Sequence, residues 1–460
     1  MLRRCCLAAS FLLIACGPQP AHEDPGTSGT GDDPTAHQFT TGEPIPTTGD
    51  PPGSTTAAPD PTTGAPADRC DEIVLDPTLR ATVLSSLVLP EDAVLTASDA
   101  LTVTTLDHTN NFGGPVQSLA GLECFENLTK LRVDFSDVTD LTPVAGLPLT
   151  VLSLASSDIT DLSPLAASPT LTALLILDAP LADLGPVASM PALQILNVDS
   201  TEVVDFTPLA AHPTLRGLAA GRTHPQDLTP LVTIPQLETL DLTDCGLGSV
   251  TTLAGAPALI ELTLSTNAIT TLAGLETITT LQSLDLSANK LTGIAQLTAL
   301  DQMIELNLAD NQIADLGPLV GAVSLQALTL TNNPLAGLDG LESLPLSFLV
   351  ADNTGLTELV PVAPQILDFL SLADNQISDL TPLADHLVLR SLNIKNNAIT
   401  TLAPIAKSAW IATGCPALSL AGNNLDADTL TQLIPALCAT DRVEVHWEQG
   451  ECQPAMQCIP

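Results

Sequence analysis

The sequence predicts an α/β solenoid, and three observations carry that prediction. From Leu128 to Ile405 one pattern recurs, L-x-x-L-x-L-x-x-N-x-I-x-D-L-x-P-L. Its first positions fall at Leu128, Leu149, Leu171, Leu193, Leu215, Leu237, Leu259, Leu281, Met303, Leu325, Leu346, Leu367 and Leu389, steps of 22 residues with three of 21. Hydrophobic residues make up 45% of the chain but aromatics 2%, so Leu, Val, Ile and Ala must fill the interior. A unit this short cannot bury its apolar face alone. Stacked copies share one core and leave a broad outer surface.

Each unit dictates its own elements. In L-x-L the alternation turns Leu240 and Leu242, or Leu306 and Leu308, inward from a short strand. Successive strands then pair in parallel, about 4.8 Å apart. The Asn at the ninth position (Asn267, Asn289, Asn311) is polar inside an apolar stack, which predicts a ladder that satisfies turn backbone. In D-L-x-P-L, Asp140, Asp161, Asp183, Asp205, Asp315 and Asp379 are placed to cap a short helical turn whose Pro stands where no amide donor is needed. The Asp row is therefore read as structural and not as a metal ladder. The pattern is that of the leucine-rich repeat, and the expected shape is a horseshoe with a parallel sheet on its concave face, 3-10 turns on its convex face and a helical cap at each end.

The repeats set the domain boundaries. Residues 128–414 are the repeats, 70–127 an N-terminal cap with a degenerate first repeat, and 415–460 the last repeat with a cysteine-rich cap. Caps are required because a bare stack exposes its edges. Asp76-Pro77 followed by LRATVLSSL predicts a capped short helix, and Asp428 is expected to start another bearing Leu430, Leu433, Ile434 and Leu437, followed by an edge strand in RVEVHW.

Before the cap, residues 1–15 read as a signal peptide, with Arg3 and Arg4 ahead of a short apolar run from Leu7 to Ile14. Leu13-Ile14-Ala15-Cys16 resembles the lipobox of bacterial lipoproteins, which implies acylation at Cys16 and anchoring at an outer membrane or cell surface. Residues 16–69 are rich in Thr, Pro, Gly and Asp and too poor in apolar residues to fold, so they form a tether. About 50 residues of random coil span roughly 40 Å.

Cysteine usage fits an oxidising compartment. Cys70, Cys124, Cys415, Cys438, Cys452 and Cys458 flank the repeats and are disulfide candidates; grouping by cap suggests Cys70–Cys124 in front and two bridges behind. Cys245 occupies an Asn slot and is expected to be a buried thiol. The formal charge of −39 disfavours nucleic acid as a partner.

The short helical cap running into 22-residue repeats with ITDLTPL-type endings resembles the internalin family of bacterial surface proteins over about Cys70 to Ile405. The resemblance implies attachment to other proteins through the concave sheet. No immunoglobulin-like segment and no C-terminal wall-sorting motif follow the repeats, so host-cell invasion is not carried over.

No catalytic motif is present: the seven His are scattered, and there is no phosphate loop or nucleophile elbow. The reading is a non-enzymatic module with no cofactor and no metal. Function should sit on the outward third, fifth and seventh positions of each unit. Lys130, Arg132 and Asp134 open the series. Asp241, Glu261, Asp285 and Glu305 form an acidic stripe on adjacent strands, and Phe348 and Phe369 lie side by side near Val350. Outward aromatic anchors favour a protein or peptide ligand. The alternatives are an envelope protein without a specific ligand, and a calcium- or sugar-dependent module built on the stripe.

Overall fold

In the computed structural model of the chain, the described residues are 70, 73–109, 114–360, 362, 366–440, 442–448 and 450–452. All belong to one compact unit, Arg69–Pro460. The expected signal segment, Cys16, the tether and Cys458 lie outside the described residues.

A single sheet organises the molecule. Its first half comprises β1 (Thr105–His108), β2 (Lys130–Val133), β3 (Val151–Ser153), β4 (Ala173–Leu175), β5 (Ile195–Asn197), β6 (Gly217–Ala219), β7 (Thr239–Asp241) and β8 (Glu261–Thr263). It continues through β9 (Ser283–Asp285), β10 (Glu305–Asn307), β11 (Ala327–Thr329), β12 (Phe348–Val350), β13 (Phe369–Ser371), β14 (Ser391–Asn393), β15 (Ala417–Ser419) and β16 (Glu444–Trp447). Every neighbouring pair from β1 to β16 is parallel, and β17 (Gly450–Cys452) folds back antiparallel on β16. The thirteen repeats correspond to β2–β14; the caps contribute β1, β15, β16 and β17. The middle residue of each three-residue strand forms one inward column in register, including Leu152, Leu240, Leu306, Leu349 and Leu392, all buried. Each such burial is worth about 2 kcal/mol.

Opposite the sheet lie short 3-10 turns such as Thr142–Val144, Ser163–Leu165 and Thr381–Leu383. The Asp row starts them through an Asx turn, one residue earlier than a helix N-cap. Asp140, Asp161, Asp205 and Asp379 each accept the amide two residues on, at 2.7–2.8 Å. Those hydroxyl and amide partners hold the four carboxyls below the ordinary carboxylate range.

Asn fills the interior slot only in the second half of the stack. Nδ2 of Asn311 donates to Leu286 O and Leu308 O, and its Oδ1 accepts from Leu291 N, so one side chain ties two repeats together. Asn267, Asn289, Asn333, Asn375, Asn397 and Asn423 repeat this arrangement. In the first half the slot holds Ser136, Ser157, Ala179, Thr201, Thr223 and Cys245. Ser157, Thr201 and Thr223 bond a carbonyl of their own turn, at 2.6–2.7 Å, and only Thr223 among these three adds a contact to the next repeat, 4.0 Å to Cys245 Sγ. Cys245 is a free, buried thiol whose Sγ lies 3.2 Å from Ala220 O, and burial pushes its pKa up.

The caps close both ends. Helix α1 (Pro77–Ser86) starts with Asp76 accepting from Thr78 N and Leu79 N, and Arg80 ties it to Glu91 O and Ala93 O. Helix α2 (Ala97–Ala100) has a Thr96/Asp99 capping box. Cys70–Cys124 and Cys438–Cys452 are disulfides, and Cys415 is also disulfide-bonded. After the short helix α3 (Ala409–Thr413), the last helix begins earlier than the sequence suggested. Asp426, not Asp428, accepts Thr429 N at 2.7 Å, and the chain passes through a π turn at Thr429–Leu433 into α4 (Ile434–Cys438). Pro435 lacks an amide for a regular i−4 bond, which accounts for the wider turn just before it.

The unequal ladder leads to a direct comparison. Asn311→Ala leaves buried backbone groups of two repeats unpaired and should destabilise by roughly 2–4 kcal/mol, whereas Thr223→Ala at the same slot should cost about 1 kcal/mol. Equilibrium denaturation of both variants checks this; equal losses would refute the unequal ladder.

Candidate functional site

The outward strand positions form two columns along the concave face, and their chemistry changes along the length of the sheet. At the N-terminal end Arg132 Nε donates to Asp134 Oδ2 at 2.6 Å, and buried Asp134 also accepts from Ser153 Oγ and Ala155 N. That pair is therefore committed to the fold. Next comes an apolar stretch that the sequence reading did not single out: Val151, Leu175, Leu177 and Ile195, with Gly217 and Ala219 beyond them. Its signal was available in the same third, fifth and seventh positions.

The acidic stripe follows, and its four members prove unequal. Asp241 Oδ1 accepts from Thr243 N at 2.9 Å and Thr243 Oγ1 at 2.6 Å, and Asp285 Oδ1 accepts in the same way from Ser287 N and Ser287 Oγ. Asn197 and Asn307 perform the same task for Asp199 N and Ala309 N. These residues satisfy the amide at which each strand turns away, so Asp241 and Asp285 belong partly to the scaffold. The side chains of Glu261 and Glu305, by contrast, make no hydrogen bond or ion pair with another described residue. Burial, and then the charge of Glu305, pushes the Glu261 carboxyl up.

Register also spaces the stripe. Glu261 and Glu305 each pair with Ser283, and Asp241 and Asp285 each pair with Thr263. The acids alternate between columns, so like charges in one column stand two strands apart, about 9.6 Å. No two carboxylates face each other directly.

Sequence reasoning missed Asp199, at a seventh position. Its Oδ1 accepts Gly221 N at 2.6 Å, across the strand where Gly217, Ala219 and Gly221 leave no large side chain. Burial, with a smaller contribution from the Asp241 charge, pushes its pKa up to about 6 against the Gly221 amide and Arg222. Asp352 makes the equivalent bond to Ala373 N and also accepts from Ser371 Oγ.

Phe348 and Phe369 stand opposite one another on β12 and β13, ring centroids 4.6 Å apart and planes 13° apart. Stacking leaves each half-buried instead of fully wet. Ala327 and Ser391 flank the pair in the same column, so its outer ring faces are unobstructed by bulky neighbours on the sheet.

Among the described residues no group of three His, Cys, Asp or Glu side chains is arranged to hold a metal ion. No helix among them is long and apolar enough to cross a membrane.

Residues 279–335 match the leucine rich repeat family. That is the stretch where consecutive repeats carry Asn289, Asn311 and Asn333. No curated protein matches the sequence. Among solved structures, an internalin (InlF) from Listeria monocytogenes shares 23% identity and a TM-score of 0.54, covering 78% of this chain and 93% of that one. A leucine-rich-repeat protein of Leptospira interrogans shares 21% identity with a TM-score of 0.67, covering 76% and 97%. The ectodomain of the receptor kinase GASSHO1/SCHENGEN3 from Arabidopsis thaliana, solved with CASPARIAN STRIP INTEGRITY FACTOR 2, shares 22% identity with a TM-score of 0.57, covering 75% and 45%. These likenesses show the fold: the chain is a leucine-rich-repeat solenoid with an open parallel sheet.

The raised Asp199 gives this face a pH signature. The folded state holds the Asp199 proton more tightly than the unfolded chain, so the contribution of this group to stability is complete below about pH 4 and is lost as pH rises through about 6. Asp199→Asn keeps an acceptor for Gly221 N without the buried charge. It should raise the Tm at pH 7 and leave it unchanged at pH 3.5; a gain of equal size at both pH values would refute this account.

Proposed function

We propose that the chain is a non-enzymatic recognition module that holds a protein or peptide ligand on its concave sheet while lipid at Cys16 anchors it to an outer membrane or cell surface. The observation that carries this reading is the stacked pair Phe348–Phe369 on opposed positions of adjacent strands. Burying such a pair against a partner releases apolar area from water, and aromatic anchors dominate most interfaces. The unpaired carboxylates of Glu261 and Glu305 add attraction for a basic surface, and their effect falls chiefly on association rate. The same negative charge sets nucleic acid aside as the partner.

A pull-down from envelope extract, with and without calcium, separates the readings. A protein retained in both conditions supports the module, capture only with calcium supports cation bridging, and nothing retained supports a spacer without a ligand. Phe348→Ser with Phe369→Ser should weaken a true partner by about 2 kcal/mol or more. Glu261→Gln with Glu305→Gln should slow association and flatten its salt dependence. Asp241 and Asp285 must be changed to Asn and not Ala, because Asn preserves the turn bond as Asn307 does. Binding unaffected by both sets would move the site off the concave face.

The anchor is tested separately. Cys16→Ala should release the protein from the membrane fraction; an intact variant that stays membrane-bound would rule the lipid anchor out.

A further inference from the structure

Behind the aromatic pair, on the core side of the same strands, lies a buried histidine with no hydrogen-bond partner among the described residues. His386 is 0% exposed, and neither Nδ1 nor Nε2 has a hydrogen-bond partner. A neutral imidazole carries one donor and one acceptor, and leaving both unmade in the interior is costly. Most other described repeats fill this slot with apolar residues such as Met190, Ile234, Leu300 and Leu344, although Ser168 and Ser408 hold it in two of them. His212 also occupies it, but there Nδ1 accepts Leu215 N at 3.2 Å.

The ring lines a cavity of about 10 Å³, at the lower limit for one water. Leu349 from β12 and Leu370 from β13 line it too, and they are the inward neighbours of Phe348 and Phe369. Among the described residues, the side chains reaching it from the stretch before β13 are Leu359, Val360, Val362 and Leu367, also aliphatic. Asp385, on the same turn, is the charged group that acts on the ring, and it favours the charged form.

We propose that His386 is an acid-triggered release in the wall supporting the aromatic pair: on protonation its ring leaves the aliphatic pocket for water, opening the turn before β14 and loosening β12 and β13. Only the consequence for ligand binding rests on the function proposed above. The opening itself is a property of the free chain.

Burial pushes the His386 pKa down from 6.5 to about 4, against the opposing charge of Asp385. With the folded value depressed, the neutral ring's contribution is intact above about pH 6.5 and is lost as pH falls towards 4. Those two values imply a roughly thirtyfold larger opening constant at pH 5 than at pH 7.5.

Hydrogen exchange of the unliganded chain, read by mass spectrometry at pH 7.5 and pH 5 and corrected for intrinsic rates, tests this directly. Amides of β12–β14 should lose protection on the order of thirtyfold at the lower pH. His386→Leu, which fills the slot as other repeats do, should remove the loss. His386→Gln, polar but without a titrating ring, should remove the pH dependence while keeping a constant weakness. His212→Leu should leave the loss in β12–β14 in place. Equal protection of wild-type β12–β14 at both pH values would overturn the proposal, even if a variant failed to fold. So would persistence of the loss in either His386 variant.

Discussion

The fold depends on one requirement: turn backbone buried between stacked repeats must find partners inside the stack. The Leu columns supply the driving force, but apolar burial is non-directional and does not fix how one repeat sits on the next. Directionality comes from the slot side chain. Where it is Asn, both ends of the amide are used, and Nδ2 reaches a carbonyl of the preceding repeat while Oδ1 takes an amide of that same repeat. The ladder is thus a set of links between units, and at Asn289, Asn311, Asn333 and Asn375 the link is buried where a broken bond is not readily replaced by water.

That requirement is met unequally along the chain. Ser157 and Thr201 close their own turns and leave coupling to the sheet and the Leu columns. Nearest-neighbour coupling sets how far unfolding spreads in a repeat protein. The Asn half, interrupted at Thr354 but linked there to Asn375 Oδ1, should therefore behave as one cooperative block, and the first half as a looser series. Cys70–Cys124 closes a separation of 54 residues at the loose end. In the chain-entropy account such a crosslink contributes about 4 kcal/mol, and it acts where the ladder is absent.

Much of this was legible in the sequence because the repeat is periodic. Strand positions, the inward Leu columns, the Asn slot and the Asp-led turns all follow from a fixed spacing, and β2–β14 fall where the spacing puts them. What was not legible depends on two-dimensional register. Asp241, Glu261, Asp285 and Glu305 look equivalent in a one-dimensional reading. Only pairing shows that they alternate between columns, and only the strand ends show that Asp241 and Asp285 bond the turn while the two Glu do not. Asp199 escaped for the same reason, since its burial comes from the bare strand at Gly217 and Gly221. At the C-terminal cap Asp426 moved the helix start and Pro435 widened the turn, local effects that no repeat spacing encodes.

The outward face shows how a scaffold made of repeats can acquire a site without weakening its core. Side chains at the third, fifth and seventh positions alternate away from the Leu column, so they can vary freely unless they take on a backbone amide. Those that do, such as Asp134, Asp285 and Asp352, are fixed by the fold and add little freedom for recognition. Those that do not, Glu261, Glu305, Phe348 and Phe369, are the positions where sequence change would alter binding at small cost to stability. His386 breaks this separation, because it lies on the core side of β12 and β13. A defect there reaches the outward aromatic pair through one strand thickness. The aromatic region is therefore where stability and recognition are most tightly coupled.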